Sequence, residues 1–72
     1  GQPRLYVVSD QESPVEVRII NSVGQTVQVN KYVAARGSNM FDLETARLAG
    51  GMYVMEVVHT SSQTKKVFKL IR

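Results

Sequence analysis

The sequence predicts an all-β fold, a small antiparallel Ig-like β-sandwich of about six to seven short strands. Three observations carry that expectation. No stretch holds a helical period, short runs rich in Val, Ile, Tyr and Phe recur, and clusters of Gly, Ser, Asn and Pro part them at all-β spacing. A small open barrel is the runner-up arrangement.

The first strand is expected over Arg4 to Ser9, ending at the polar cluster Asp10-Gln11-Glu12-Ser13. Pro14 lacks the N–H that a central ladder needs, so the second strand is expected to start after it, at Val15. From Val15 to Ile20 the alternation is clean, with Val15, Val17 and Ile19 on one face and Glu16 and Arg18 on the other. Asn21-Ser22-Val23-Gly24 then reads as a hairpin connection, because Asn and Gly tolerate the positive φ of tight turns. The third strand, Gln25 to Ala34, is expected to bury Val27 and Val29. Strict alternation would then point Lys31 at the core, so a bulge is expected near Asn30-Lys31.

Gly37-Ser38 marks the next turn, and a fourth strand over Asn39 to Leu43 carries Phe41 and Leu43 on one face. Glu44 to Leu48 is too short for a stable helix and reads as a loop that plugs Leu48 into the core. Gly51 to His59 is apolar on both faces apart from Glu56, which suits a central strand. Thr60-Ser61-Ser62-Gln63 is a polar turn, and Thr64 to Arg72 forms the last strand.

With 72 residues, 43% of them hydrophobic, the chain is expected to be one domain over 1–72, with residues 1–13 as first strand and loop. So short a chain buries only about 60% of the surface that its unfolded form exposes. No cysteine is present, so neither disulfides nor a thiolate zinc site can staple the fold. No apolar run approaches the roughly 18 residues that span a bilayer. Because the chain opens Gly-Gln-Pro rather than with methionine, the expectation is a module cut from a longer protein; whether Arg72 is its native end stays open. The net charge of +3 is gathered late, with Lys65, Lys66, Lys69 and Arg72 in the final eight positions.

The residues of catalysis are missing as a constellation. An enzyme needs a nucleophile with its base, a paired carboxylate or a metal cluster. His59 is the single histidine and is expected as a solvated turn residue, Asp42 as an exposed strand residue or turn cap, and Asp10 and Glu12 as solvated loop residues. Gly50-Gly51 precedes a strand, so no helix N-terminus is on offer for a phosphate. The expectation is therefore no enzyme, no cofactor and no metal. The basic strip is too sparse, and the aromatics are too dispersed, to argue for nucleic acid. Lysines that guard an edge strand against unwanted pairing explain it better.

Three blocks of the sequence carry a likeness to a known family. They are "VEVRIINSVGQTV", with its turn glycine Gly24 and returning Val27; "LAGGMYVMEV", which fits L-x-x-G-x-Y at Leu48, Gly51 and Tyr53; and the terminal "KKVFKLIR", with spaced Lys66 and Lys69. In this order, over residues 14–72, the chain resembles the type A C-terminal sorting domain of the type IX (Por) secretion system of Bacteroidota. The family's usual opening Pro-Asn-Pro is not matched; only Pro3 stands near the start.

The resemblance implies a folded secretion signal. It would direct a parent protein from the periplasm through the outer-membrane translocon to the cell surface, where a sortase-like peptidase often removes it. Its partners would be type IX components and that peptidase, without nucleic acid and without direct membrane insertion. Lys65, Lys66, Val67, Phe68, Lys69, Leu70, Ile71 and Arg72 are the residues expected to be read, as an edge strand offering main-chain pairing. The same edge could join a second copy in a homodimer. For Gly24, Leu48, Gly51 and Tyr53 a role in the fold alone remains open: Gly51 bending, Leu48 plugging and Tyr53 anchoring its ring with the hydroxyl bonded near the turn. The alternative is an Ig-like structural or adhesion module of a larger surface protein or glycosidase.

Overall fold

The computed structural model describes residues 3–72; residues 1 and 2 of the expected opening segment lie outside the described residues. Six strands run in order, β1 Arg4–Ser9, β2 Ser13–Ile20, β3 Thr26–Ala34, β4 Gly37–Asp42, β5 Met52–His59 and β6 Thr64–Ile71. They form two antiparallel sheets, a two-stranded β1-β4 and a four-stranded β3-β2-β5-β6. Among the described residues no main-chain ladder joins the two sheets, so the architecture is a sandwich and not a barrel.

The core lies where β2 predicts it. Val15, Val17 and Ile19 are fully enclosed and meet Tyr53, Met55 and Val57 of β5 along one face, with Leu5, Leu43 and Leu48 closing over them. Burial of each aliphatic side chain contributes about 1.5–3 kcal/mol. Pro14 falls inside β2, which is a central strand, contrary to the start expected at Val15. The ladder tolerates it because Val15 opposite His59 is the last pair with β5. Only the carbonyl of Pro14 faces β5 beyond that point, and it accepts from the N–H of Thr60 at 3.3 Å.

The third strand departs most from expectation. Val27 and Val29 are 45% and 48% exposed, and Gln28, Asn30, Tyr32 and Ala34 face inward instead. The irregularity lies between Ile19 and Ile20, whose partners step from Gln28 to Thr26, so Val27 is the extra residue and the Asn30-Lys31 stretch pairs regularly. A bulge at the start of the strand rather than its middle reverses the facing of every residue beyond it. Val29 then lies opposite Arg18 and Lys31 opposite Glu16, both on the outer face. The hairpin before it forms as predicted: Asn21 Oδ1 accepts from the N–H groups of Val23 and Gln25, and Gly24 has φ +88°.

β4 begins at Gly37, earlier than the expected Asn39, because the corner falls on Ala35-Arg36. Asn39 holds that corner, its Oδ1 accepting from the Ala35 N–H at 2.8 Å and its Nδ2 donating to the Ala35 carbonyl at 2.8 Å. Phe41 turns inward and stacks on Tyr32 with centroids 4.5 Å apart. This contact lays β4 over β3.

Candidate functional site

The loop between β4 and β5 folds as a corner. Leu48 is buried, its N–H donates to the Thr45 carbonyl at 3.0 Å, and the Tyr53 hydroxyl donates to the Ala49 carbonyl at 2.7 Å. Gly51 takes φ +152°, a conformation that side chains strain, although a Cβ there would meet nothing within 4 Å. Backbone freedom, not room, is what this position needs.

That conformation sets Gly51 opposite Arg72. The Gly51 N–H donates to the Arg72 main-chain oxygen at 3.0 Å, and the Arg72 N–H donates to the Gly51 carbonyl at 2.9 Å. Arg72 Nε also donates to the Thr45 carbonyl at 3.1 Å. The corner and the end of β6 are thus one hydrogen-bonded unit, which links the L-x-x-G-x-Y block to the basic strand.

The Gly51–Arg72 pair also fixes which way the main chain of β6 faces. In an antiparallel ladder both polar groups of a residue point to one side and those of the next residue to the other. Arg72 bonds β5, so Leu70, Phe68 and Lys66 do likewise, while Lys65, Val67, Lys69 and Ile71 turn their N–H and C=O groups to the open flank. The side chains divide in the same way. Lys66, Phe68 and Leu70 share the inner face with Val57, Met55 and Tyr53, whereas Lys65, Val67, Lys69 and Ile71 share the outer face with Val58, Glu56, Val54 and Met52. Lys65 Nζ lies 3.4 Å from Glu56 Oε2; among the described residues Lys66 and Lys69 form no ion pair. The eight residues expected to be read therefore do not form one surface: four border the open edge, three look into the sandwich and Arg72 is tied back to the corner. Gly24 stands apart, in the β2–β3 turn.

His59 differs from the solvated turn residue that was expected. Its Nε2 lies 2.5 Å from Ser13 Oγ and 3.2 Å from Ser9 Oγ, and Ser9 Oγ donates in turn to the Gln11 carbonyl. Both serines are buried, and no carboxylate bonds the ring among the described residues. The knot pins β1 and β2 to β5 across the sandwich; its partners are too distant in sequence for any local pattern to reveal it. No group of three or more His, Cys, Asp or Glu that could hold a metal occurs among the described residues. Asp42 is exposed, as expected, and pairs with Arg4 at 3.2 Å. The Tyr32 phenol is held above its ordinary range, first by burial and then by the nearby Asp42 carboxylate.

Neither a curated protein nor a solved structure matches the chain. The family described as secretion system C-terminal sorting domain matches residues 2–71, including β1, which lies before the blocks that carried the resemblance. With nearly every residue covered by that match and an all-β sandwich beneath it, the chain belongs to the secretion system C-terminal sorting domain family, the sorting signals of type IX secretion.

Proposed function

We propose that this domain is read as a folded address label through the open edge of β6. A strand of the outer-membrane translocon pairs with the outward N–H and C=O groups of Lys65, Val67, Lys69 and Ile71, and Lys65 and Lys69 orient it. Lys66, Phe68 and Leu70 hold the edge strand on the sheet, and Arg72 locks it to the corner built by Leu48, Gly51 and Tyr53. The parent protein, exported through the periplasm, is thereby passed to the cell surface, and a sortase-like peptidase then removes the domain. A second copy that pairs with the same edge competes with the translocon, so a homodimer would hide the signal.

The observation that carries this reading is the alternation of β6, which leaves one flank without a partner strand among the described residues while the other is bonded to β5 along its whole length. Proline at Val67 removes one outward N–H and leaves every β5 rung in place. A periplasmic reporter fused to residues 1–72 in a type IX-competent bacterium is expected at the cell surface, and the Val67→Pro fusion is expected to remain folded in the periplasm. Surface delivery of a folded Val67→Pro fusion at the unaltered level would refute the edge as the recognition element.

A further inference from the structure

The smaller sheet is too narrow for the larger one. Strands lie about 4.8 Å apart within a sheet and sheets pack about 10 Å apart, so two strands leave part of a four-stranded face without cover. Here β4 lies over β3 through the Tyr32–Phe41 stack, and β1 reaches β5 through Ser9 and His59. Among the described residues no strand lies over β6. Its inward Phe68 is 43% exposed and Lys66 is exposed as well, although their neighbours Met55 and Val57 on β5 are buried.

The strand bordering this gap has a free flank. Pro3 accepts from the Leu43 N–H and Val7 from Asn39 Nδ2, so the odd residues of β1 turn their main chain to β4. Tyr6 and Val8 consequently direct N–H and C=O away from β4, toward a side where β1 has no partner strand among the described residues. Four consecutive residues of β1, Leu5 to Val8, line a groove of about 220 Å³ whose other wall is Val57, His59, Thr64, Lys66 and Phe68. Its walls carry no carboxylate, and the Lys66 ammonium there forms no ion pair among the described residues.

We propose that this groove accepts an extended peptide segment of another protein, added to β1 as a third strand and carrying an acidic side chain opposite Lys66. The incoming main chain bonds the outward groups of Tyr6 and Val8. Its inward side chains alternate along the strand, an apolar one covering Phe68 and the carboxylate meeting Lys66, while its outward side chains remain in solvent. Asp10 borders the adjoining hollow but forms no ion pair with Lys66 among the described residues, so the ammonium selects an acidic segment over a basic one and disfavours this chain's own lysine-rich β6 as the guest. The site is separate from the open edge of β6 and does not rest on the reading given for that edge.

The test uses the isotope-labelled 72-residue chain and a synthetic peptide of about eight residues, alternating valine and threonine around one glutamate, long enough to span β1. A second peptide carries lysine in place of glutamate. The glutamate peptide is expected to shift the Tyr6 and Val8 amides and slow their hydrogen exchange, with the Val67 and Lys69 amides unmoved. Val8→Pro removes one outward N–H without touching a β4 rung and is expected to weaken binding about fivefold, the worth of one hydrogen bond. Lys66→Glu, which leaves the ladder intact, is expected to reverse the preference between the two peptides. The proposal is overturned by a response confined to Val67 and Lys69, by equal affinity for both peptides, or by self-association of the chain that protects Tyr6 and Val8 without peptide.

Discussion

β3 and β6 flank the same four-stranded sheet, yet they are protected in different ways. β3 carries a bulge at Val27, and its inward side chains are taken up by the smaller sheet and the loop after it: Tyr32 stacks on Phe41 and donates to the Asp42 carbonyl at 3.3 Å, and Gln28 donates to the Glu44 carbonyl. β6 is regular, with no shift of register against β5, and its inner face is open at Lys66 and Phe68, with Leu70 alone packed against the core. What guards it is charge, Lys65, Lys66 and Lys69, against the single Lys31 of β3. A bulge twists one end of the β3 edge and cover on its inner face closes that side, whereas β6 relies on charge to turn strands away. The difference is what the proposed reading of β6 as the recognised edge rests on.

The strongest way to break this comparison is to remove a rung on the bonded flank of β6. Phe68 directs its N–H to β5, one residue from Val67, whose N–H points to the flank without a partner strand among the described residues. Phe68→Pro is expected to lower stability by on the order of 2 kcal/mol, because a ladder bond is lost and its partner carbonyl on β5 is left without a donor. Val67→Pro is expected to cost well under half of that. Urea unfolding of the two variants measures the contrast, and equal losses would mean that the alternation assigned from the Gly51–Arg72 pair is incorrect.

A contrast of similar size separates covered from uncovered side chains. Tyr32→Ala is expected to cost about 2 kcal/mol, since the stack on Phe41 and the packing of β4 over β3 go together. Phe68→Ala, on the open face, is expected to cost less than about 1 kcal/mol. Comparable midpoints for the two in urea would show that β6 is covered after all.

Much of this arrangement was legible because local chemistry and tertiary structure agree. The three core residues of β2, the Asn21–Gly24 hairpin, the plug at Leu48 and the bonded hydroxyl of Tyr53 each arise from a short pattern that needs no distant partner. β3 misled because its valines recur at every second position, which is the signature of a buried face, while the bulge that reverses that face occupies a single residue with no composition of its own. Pro14 misled for a related reason: the prohibition on proline concerns the donated N–H, and this proline stands beyond the last pair with β5, where only its carbonyl is bonded. The basic edge was visible as a run of lysines, but which of them border the free flank depended on the pairing of Gly51 with Arg72. Neither the His59 knot nor the groove beside β1 had a signal in sequence, since each joins residues that only the sandwich brings together.

The smallest expected effect concerns pH and again sets β3 against β6. Burial, and secondarily the Asp42 carboxylate, raise the Tyr32 phenol above its ordinary value of 10.0. The folded chain thus keeps its proton where the unfolded chain begins to lose it, so this contribution is whole below pH 10 and is lost as pH rises through the folded value. Tyr32→Phe removes the ionisation while keeping the ring on Phe41, and its stability is expected to fall less steeply than the parent's above pH 10. Asp42→Asn removes the secondary cause alone and is expected to lie between the two. Because the lysines of β6 also lose charge in alkali, the quantity to measure is the difference between each variant and the parent in urea midpoint across that range. A Tyr32→Phe curve parallel to the parent's would show that the β3 edge is less enclosed than the stack on Phe41 implies, and the contrast with β6 would narrow accordingly.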